Sequence, residues 1–433
     1  MTMQIDRREF LERAALVGAT AGLATSNLTG SFLRADDPAP RKVVVGVMGL
    51  SRGRALANQF ASRPEVEIRY VCDVDQERAS NCAEELTKTG KAKPQQIGEY
   101  RKMLEDPELD ALICAAPNFW HATATIHGLQ AGKHVYVEKP CCHTPREGEL
   151  MIEAARKYGK VVQVGTQRRS SPGIIEAMHL LHEGAIGRVY SARAFYASAR
   201  KSIGIGKPAE APARLNYDLW QGPAPRKPYL DNRVPYNWHW FWHWGNGELG
   251  NNGVHTLDLC RWGLQVDFPI RVNSSGGRYH FQDDQETPDT QTVGYEFADR
   301  KLITWVGHSC NRHDDDDFIT FYGDKGSLRL GDQGSYVIYD EADKEVKKTS
   351  GTSRGDIEHI DNFLAAVRDN KPESLNCEIA VAFPSTLLPL LGNIAQRTGR
   401  TLNCDPANGH ILNDPEAAAL WNREYEPGWE LKV

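Results

Sequence analysis

Glu138-Lys139-Pro140 is the stretch whose residue types and placement most directly suggest chemistry. Gly132 reads as a helix stop, and His134–Val137 are apolar and β-prone enough for a short buried strand. Pro140 ends the ladder and holds Lys139 extended. At the carboxyl end of a strand in a parallel α/β sheet, the pair would set an ammonium and a carboxylate at the mouth of a ligand crevice. The same pair also reads as a surface salt bridge of little energetic weight. His255 and Asp258 form a second candidate, three residues apart at a predicted helix start and on one face. There the carboxylate would fix the imidazole tautomer and sharpen His255 as a base near neutral pH. Alternatively, the two cap the helix and satisfy each other in the core.

These residues need a scaffold, and the chain before them supplies its signature. Arg41 to Met48 is a buried-strand run, followed by Gly49-Leu50-Ser51-Arg52-Gly53 and a helical stretch to Ser62. A strand, a tight glycine turn and a helix start present backbone N–H groups to a pyrophosphate. Ser51 stands at the middle position, where glycine lets backbone approach phosphate closely. The next strand, Val66 to Cys72, ends at Asp73, 20 residues after Gly53. An acid at that spacing accepts hydrogen bonds from the adenosine ribose and repels a 2′-phosphate, so the expected cofactor is NAD in preference to NADP. Asp73 also reads as the N-cap of a helix over 76–87.

Strand and helix signals alternate from 43 to 165, including a buried strand over 111–115, a helix running to Gln130 after Ala116–His121 and another from Pro145 to Tyr158. That alternation predicts an α/β domain over 41–165, a Rossmann domain with a doubly wound parallel sheet. Residues 166–433 predict an α+β domain with an open, mainly antiparallel sheet. It begins with a helix over 172–183 and a strand over 188–198, exposed on one face. Residues 199–236, with six prolines and no periodicity, form a long irregular segment of the kind that carries function. Alternating strands follow at 271–281, 291–297, 302–308 and 318–330, then helices near 357–368, 379–397 and 415–422.

Five aromatics fall within the seven residues Trp238 to Trp244. They suit stacking on the C–H faces of a sugar, with Trp240 as the substrate-facing candidate, or a wall between domains. His239 and His243 are four apart, but no Glu follows the first, so a zinc helix is not expected. Asp314 to Asp317 lacks the glycine and terminal Glu of a calcium loop and reads as a solvated lead-in to a strand. No metal is expected.

Net charge is −6 with no long basic run, which excludes nucleic acid and anionic membrane as expected partners. Nine scattered cysteines without a CxxC pair are neither a disulfide framework nor a zinc ribbon. Asp6-Arg7-Arg8-Glu9-Phe10-Leu11 and a soft small-residue run to about Leu33 read as a twin-arginine export signal over 1–35, too polar for a membrane span. That route carries folded proteins, which fits unpaired cysteines and a bound cofactor. The expected destination is the periplasm or cell envelope.

Gly49 to Gly53, Asp73, Glu138-Lys139-Pro140 and Gly253-Val254-His255-Thr256-Leu257-Asp258, taken in order, resemble the Gfo/Idh/MocA family of glucose–fructose oxidoreductase, inositol dehydrogenase and rhizopine-catabolism proteins. Ala116-Pro117-Asn118-Phe119-Trp120-His121 and Val162 to Arg168 extend the match from about residue 42 to the C-terminus, and the N-terminus resembles the exported members. The resemblance implies a hydride-transfer site. Ala116, Pro117, Asn118, His121 and Glu138 would join the glycine turn around NAD, and Gln167, Arg168, Asn251 and Asp258 would face a sugar or polyol. Lys139 would hydrogen-bond the reacting hydroxyl and His255 would take its proton. Inositol-dehydrogenase-like members carry an Asp four residues before the His. Here that position is Asn251, which cannot act as a base. The leading expectation is an NAD-dependent dehydrogenase acting on a sugar, polyol or glycoside hydroxyl. The alternatives are a redox-neutral glycoside-cleaving enzyme using bound NAD and a non-catalytic sugar-binding protein. An open sheet invites self-association into a dimer or tetramer.

Overall fold

The computed structural model describes residues 41–313, 318–351 and 353–433. The expected export signal with Arg7 and Arg8, and the acidic run 314–317, lie outside them. Lys42–Val433 forms one compact unit. Its first sheet has the strands β1 (Val43–Met48), β2 (Val66–Cys72), β3 (Gln95–Ile97), β4 (Ala111–Cys114), β5 (His134–Val137) and β6 (Val162–Val164) in the order β3-β2-β1-β4-β5-β6. Every pairing in it is parallel. β1, β4 and β5 are buried along their whole length, because helices cover both faces of a parallel sheet. The strand order reverses between β1 and β4, which places a ligand crevice at their carboxyl ends.

The second sheet is mixed and runs β15-β14-β13-β12-β7-β10-β9-β8-β16-β17. Its strands are β7 (Val189–Ala199), β8 (Arg271–Gly277), β9 (Thr290–Phe297), β10 (Lys301–His308), β11 (Cys310–Asn311, on β7), β12 (Ile319–Gly323), β13 (Gly326–Leu330), β14 (Tyr336–Tyr339), β15 (Glu345–Thr349), β16 (Leu402–Cys404) and β17 (Ile411–Leu412). Among the described residues all of its pairings are antiparallel except β7 with β10. The alternating run over 318–330 is the hairpin β12–β13, with its turn at the expected Gly323-Asp324-Lys325-Gly326.

Two helices join the halves. Ile379–Thr398 packs against β8, the helix Val254–Leu264 and the helix Pro145–Tyr158. It is apolar and long enough to cross a membrane by composition, yet 83% of its apolar window is buried inside the protein, as in a core helix. Asp356–Asp369 packs against the helix Arg52–Ala61 and carries His359, whose backbone carbonyl accepts from Gln163 Nε2 at 2.7 Å. The nine cysteines are free, and eight are buried.

The segment 199–236 is not wholly irregular. Asn216 caps a short helix, Tyr217–Gln221, by accepting from Leu219 N. Ahead of it, Leu215 forms a β-bridge with Asp75, and Arg214 Nε reaches Asp75 Oδ2 at 3.1 Å. The segment is therefore strapped to the loop after β2.

Candidate active site

A cavity of about 370 Å³ opens at the carboxyl ends of β1, β2, β4 and β5. Gly49 starts its floor. Its φ is +85°, and a Cβ there would stand 2.5 Å from Ala116 N, so only glycine lets the β1 turn lie against the loop after β4. Gly53 lies in the following helix against Val47, where a Cβ would come 3.1 Å from Val47 Cγ1. These are the turn and packing roles of a dinucleotide-binding glycine turn. Ser51 and Arg52 line the cavity, and Leu50 is buried behind them.

Asp73 sits at the end of β2. Its Oδ2 accepts from Leu50 N at 2.7 Å and its Oδ1 from Asp75 N at 2.9 Å. Burial pushes its pKa up against those two N–H donors. The helix after it is capped by Asp75, which accepts from Glu77 N, so Asp73 is not the cap. Asp73 is left as the anchor of the glycine turn, with further acceptor capacity toward the cavity.

Lys139 follows β5 and is half-buried. Its Nζ donates to Asn251 O at 2.8 Å and to Asn251 Oδ1 at 3.3 Å, and an ammonium has a third N–H to offer. Burial lowers its pKa, partly opposed by Glu138. Glu138 accepts from Arg52 Nε at 3.2 Å, and Arg52 also reaches Asp356 at 3.3 Å. Asn251 thus orients the lysine. Its own Nδ2 is 3.4 Å from Glu248, which Arg200 Nε holds at 2.5 Å. The chain here winds as a π-helical turn, Leu249–Gly253, before continuing as the α-helix Val254–Leu264. Such turns concentrate at functional sites.

His255 lines the same cavity, with a buried Nδ1 that has no protein hydrogen-bond partner. Its pKa is held well below the ordinary value by burial first, then by Arg168, Lys139, Arg52 and Arg354. The ring is neutral at physiological pH and able to accept a proton. The sign for stability follows. A histidine with a folded pKa below its unfolded 6.5 binds protons better when unfolded, so its contribution is complete above 6.5 and lost as pH falls. His134 and His359, both pushed down to about 4 by burial, act in the same direction. Urea unfolding should therefore show stability level above pH 6.5 and falling below it, by up to about 1.4 kcal/mol per pH unit for each such histidine.

Ala116, Pro117, Asn118 and His121 also line the cavity. The His121 ring nitrogens lie 2.6 Å from Pro140 O and 2.7 Å from Ala116 O, joining the loops after β4 and β5. Gln167 and Asn251 reach the cavity from beyond β6.

Leu50 and Gly53 of the glycine turn stand behind the lining, and three residues expected to face the substrate do not line the cavity. Asp258 turns its carboxylate away from the cavity to Arg169, which it takes by Nε at 2.9 Å on both oxygens, and to Ser385 Oγ at 2.6 Å. The expected His255–Asp258 pair is therefore corrected: a buried guanidinium outcompetes a helical neighbour for the carboxylate. Arg168 is bound to Asp332, its Nε at 3.0 Å, and stacks over Phe318. Trp240 is buried under Arg200, and Tyr236, Trp238 and His239 supply the aromatic wall in its place. Burial holds His239 neutral, at about 3.

The model of the oxidoreductase family's NAD-binding Rossmann fold matches residues 41–166, and that of its C-terminal alpha/beta domain matches residues 194–431. The chain belongs to the Gfo/Idh/MocA oxidoreductase family. Curated relatives of this Gfo/Idh/MocA chain include a levoglucosan dehydrogenase of Pseudarthrobacter phenanthrenivorans, 27% identical over 38% of this chain and 35% of that protein. Inositol 2-dehydrogenase of Salmonella typhimurium is 31% identical over 34% of this chain and 42% of that protein. A glycosyl hydrolase family 109 protein of Shewanella pealeana is 26% identical over 45% and 46%. The chain spans less than half the length of each of these relatives. The solved structure of a levoglucosan dehydrogenase in complex with NADH and levoglucosan covers 84% of this chain and 99% of its own, with a TM-score of 0.65 at 19% identity, a likeness of fold.

Sequence reasoning about this Gfo/Idh/MocA chain missed Arg354 and Asp356, which line the cavity from the start of a helix more than 200 residues beyond Lys139. Arg354 and Arg168 share Asp332. It also missed Leu215, Leu219 and Trp220, which the strapped segment brings to the cofactor end. Asp356 alone left a local signal, an acid in the first turn of a helix.

Proposed function

We propose that this chain is an NAD-dependent oxidoreductase that transfers a hydride between nicotinamide and the hydroxyl-bearing carbon of a sugar, polyol or glycoside. One observation carries the reading: Lys139, Asn251 and His255 share a cavity with Gly49 and Asp73. Two features of the chain fit a bound dinucleotide: the Gly49 turn, which only glycine lets lie against the loop after β4, and Asp73 at the end of β2 on the same cavity. When bound, NAD supplies the hydride acceptor. The glycine turn and the first N–H groups of the helix Arg52–Ala61 would hold the pyrophosphate, and Asp73 would accept from the ribose hydroxyls. Lys139 donates its remaining N–H to the reacting hydroxyl oxygen and stabilises the alkoxide that develops there. Neutral His255 takes the hydroxyl proton. Tyr236, Trp238 and His239 offer aromatic faces to the sugar ring.

Replacing Asp73 by Ser should weaken NAD about 10- to 100-fold, the value of one or two hydrogen bonds to a charged group, while NADP changes less. Fluorescence titration with both cofactors measures the ratio.

The redox-neutral variant of this chemistry, in which the sugar is oxidised, eliminated and reduced again on one NAD, has support from the likeness to the glycosyl hydrolase family 109 protein. Its signature is aglycone release at constant NADH. Arg7, Arg8 and the small-residue run after them support twin-arginine export to the periplasm or envelope. Changing both arginines to Lys should keep the protein in the cytoplasmic fraction. The open second sheet supports a dimer or tetramer, which light scattering would distinguish from a monomer.

A further inference from the structure

Glu248 is a buried carboxylate close to the reacting groups, and the proposed reaction gives it no task. Its side chain is 4% exposed, and it directly precedes the π-helical turn Leu249–Gly253. A charge so enclosed is costly unless it is paired and hydrogen-bonded. Arg200, just after β7, supplies the pairing, with Nε on Oε2 at 2.5 Å and Nη2 on Oε1 at 3.2 Å. The guanidinium is itself held, by Nη1 on Tyr236 OH at 3.1 Å and by the Trp240 ring at 4.8 Å. Oε1 of Glu248 also accepts from Asn252 Nδ2 and, at 3.4 Å, from Asn251 Nδ2.

The last of these bonds decides which way the Asn251 amide is turned. An asparagine side chain has one accepting end and one donating end. On one side of Asn251 stands a carboxylate that only accepts, and on the other the Lys139 ammonium that only donates. Nδ2 therefore faces Glu248, and Oδ1 faces Lys139 at 3.3 Å. Turned over, the amide would set N–H groups against the ammonium and an oxygen against the carboxylate.

Lys139 depends on such support. Burial lowers its pKa more than any other influence, Arg168 and Arg52 push the same way, and Glu138 and Glu248 oppose them. His121, His239 and His255, the other titratable groups around it, are held neutral by burial and add no charge. A neutral amine would still donate a hydrogen bond, but it would not supply the charge that stabilises a developing alkoxide.

We propose that Glu248 is a positioning residue for the reaction: through Asn251 it keeps the amide oxygen on Lys139, and so holds the lysine charged and aimed into the cavity. The inference rests on the role given to Lys139 in the proposed oxidoreductase. It also implies that the charge can be moved. In Glu248→Gln/Asn251→Asp the new amide at 248 donates to the new carboxylate at 251, which takes Lys139, at unchanged net charge.

Two readouts on the full chain test this, and one needs no turnover. Trace labelling with acetic anhydride across roughly pH 7 to 11, read at the Lys139 peptide by mass spectrometry, follows the free amine. In Glu248→Gln the labelling midpoint is expected to move about one unit to lower pH, and in the double variant to return to the wild-type value or above it. With a sugar or polyol that the wild type oxidises, kcat should fall about 10- to 100-fold in Glu248→Gln and recover most of that loss in the double variant. A purely structural role for Glu248 would give no such recovery. Should Glu248→Gln not fold, Glu248→Gln/Arg200→Gln removes the buried pair together and is expected to show the same lowered midpoint. A midpoint unchanged in the Glu248 variants, or lowered and not restored in the double variant, would overturn the proposal. A wild type that oxidises no sugar or polyol would instead count against the oxidoreductase reading, and the labelling would still decide the link from Glu248 to Lys139.

Discussion

Replacing Lys139 by Ala is expected to lower kcat about 10²- to 10⁴-fold while leaving NAD binding within a few-fold of the wild type. In the proposed reaction the ammonium stabilises the oxygen that gains negative charge, and two bonds to Asn251 hold it in place. It has no role in the glycine turn or at Asp73, so the cofactor keeps its anchors. Steady-state turnover and NAD titration on the same preparation check both halves. Loss of NAD binding together with turnover would mean that the lysine serves the cofactor rather than the reaction. Asn251→Ala should reproduce part of the loss without removing the charge, because the lysine would lose its orientation.

Asp258→Ala should act in a different way. Asp258 and Arg169 are almost wholly enclosed, at 1% and 6% exposed side chain, and Ser385 completes the carboxylate's bonds. Removing one member of a buried pair leaves an uncompensated charge and costs about 3–5 kcal/mol. Thermal and urea denaturation should therefore show a large destabilisation. The activity of whatever protein remains folded should stay near the wild-type value, since Asp258 does not reach the cavity. If Asp258 instead fixed the His255 tautomer, kcat would fall at unchanged stability.

That contrast shows what could be read from the sequence. Short-range sterics and periodicity carried the glycine turn, the strand before Glu138-Lys139 and the alternation to residue 165, because each is decided by neighbours along the chain. The same local logic paired His255 with Asp258, which are indeed on one helix. It could not see Arg169, which arrives from the loop after β6 and binds the carboxylate more strongly. Trp240 was the wrong aromatic for a related reason. The direction in which each ring of Trp238 to Trp244 points depends on the short 3-10 turn Asn237–Trp240 and on what packs behind it. Arg354 and Asp356 could not be placed from local sequence, because only the packing of the helix Asp356–Asp369, Phe363 against Phe60 and Tyr136, brings them to the cavity. The parallel pairing of β7 with β10 spans more than 100 residues and has no local signature.

The most direct test of hydride transfer is to incubate the purified protein with NAD and, separately, free sugars, polyols and chromogenic glycosides, following NADH and released aglycone in one well. The account predicts that NADH rises with at least one sugar or polyol and that Lys139→Ala abolishes the rise. Bound NAD with neither NADH nor aglycone formed from any of these compounds would contradict it.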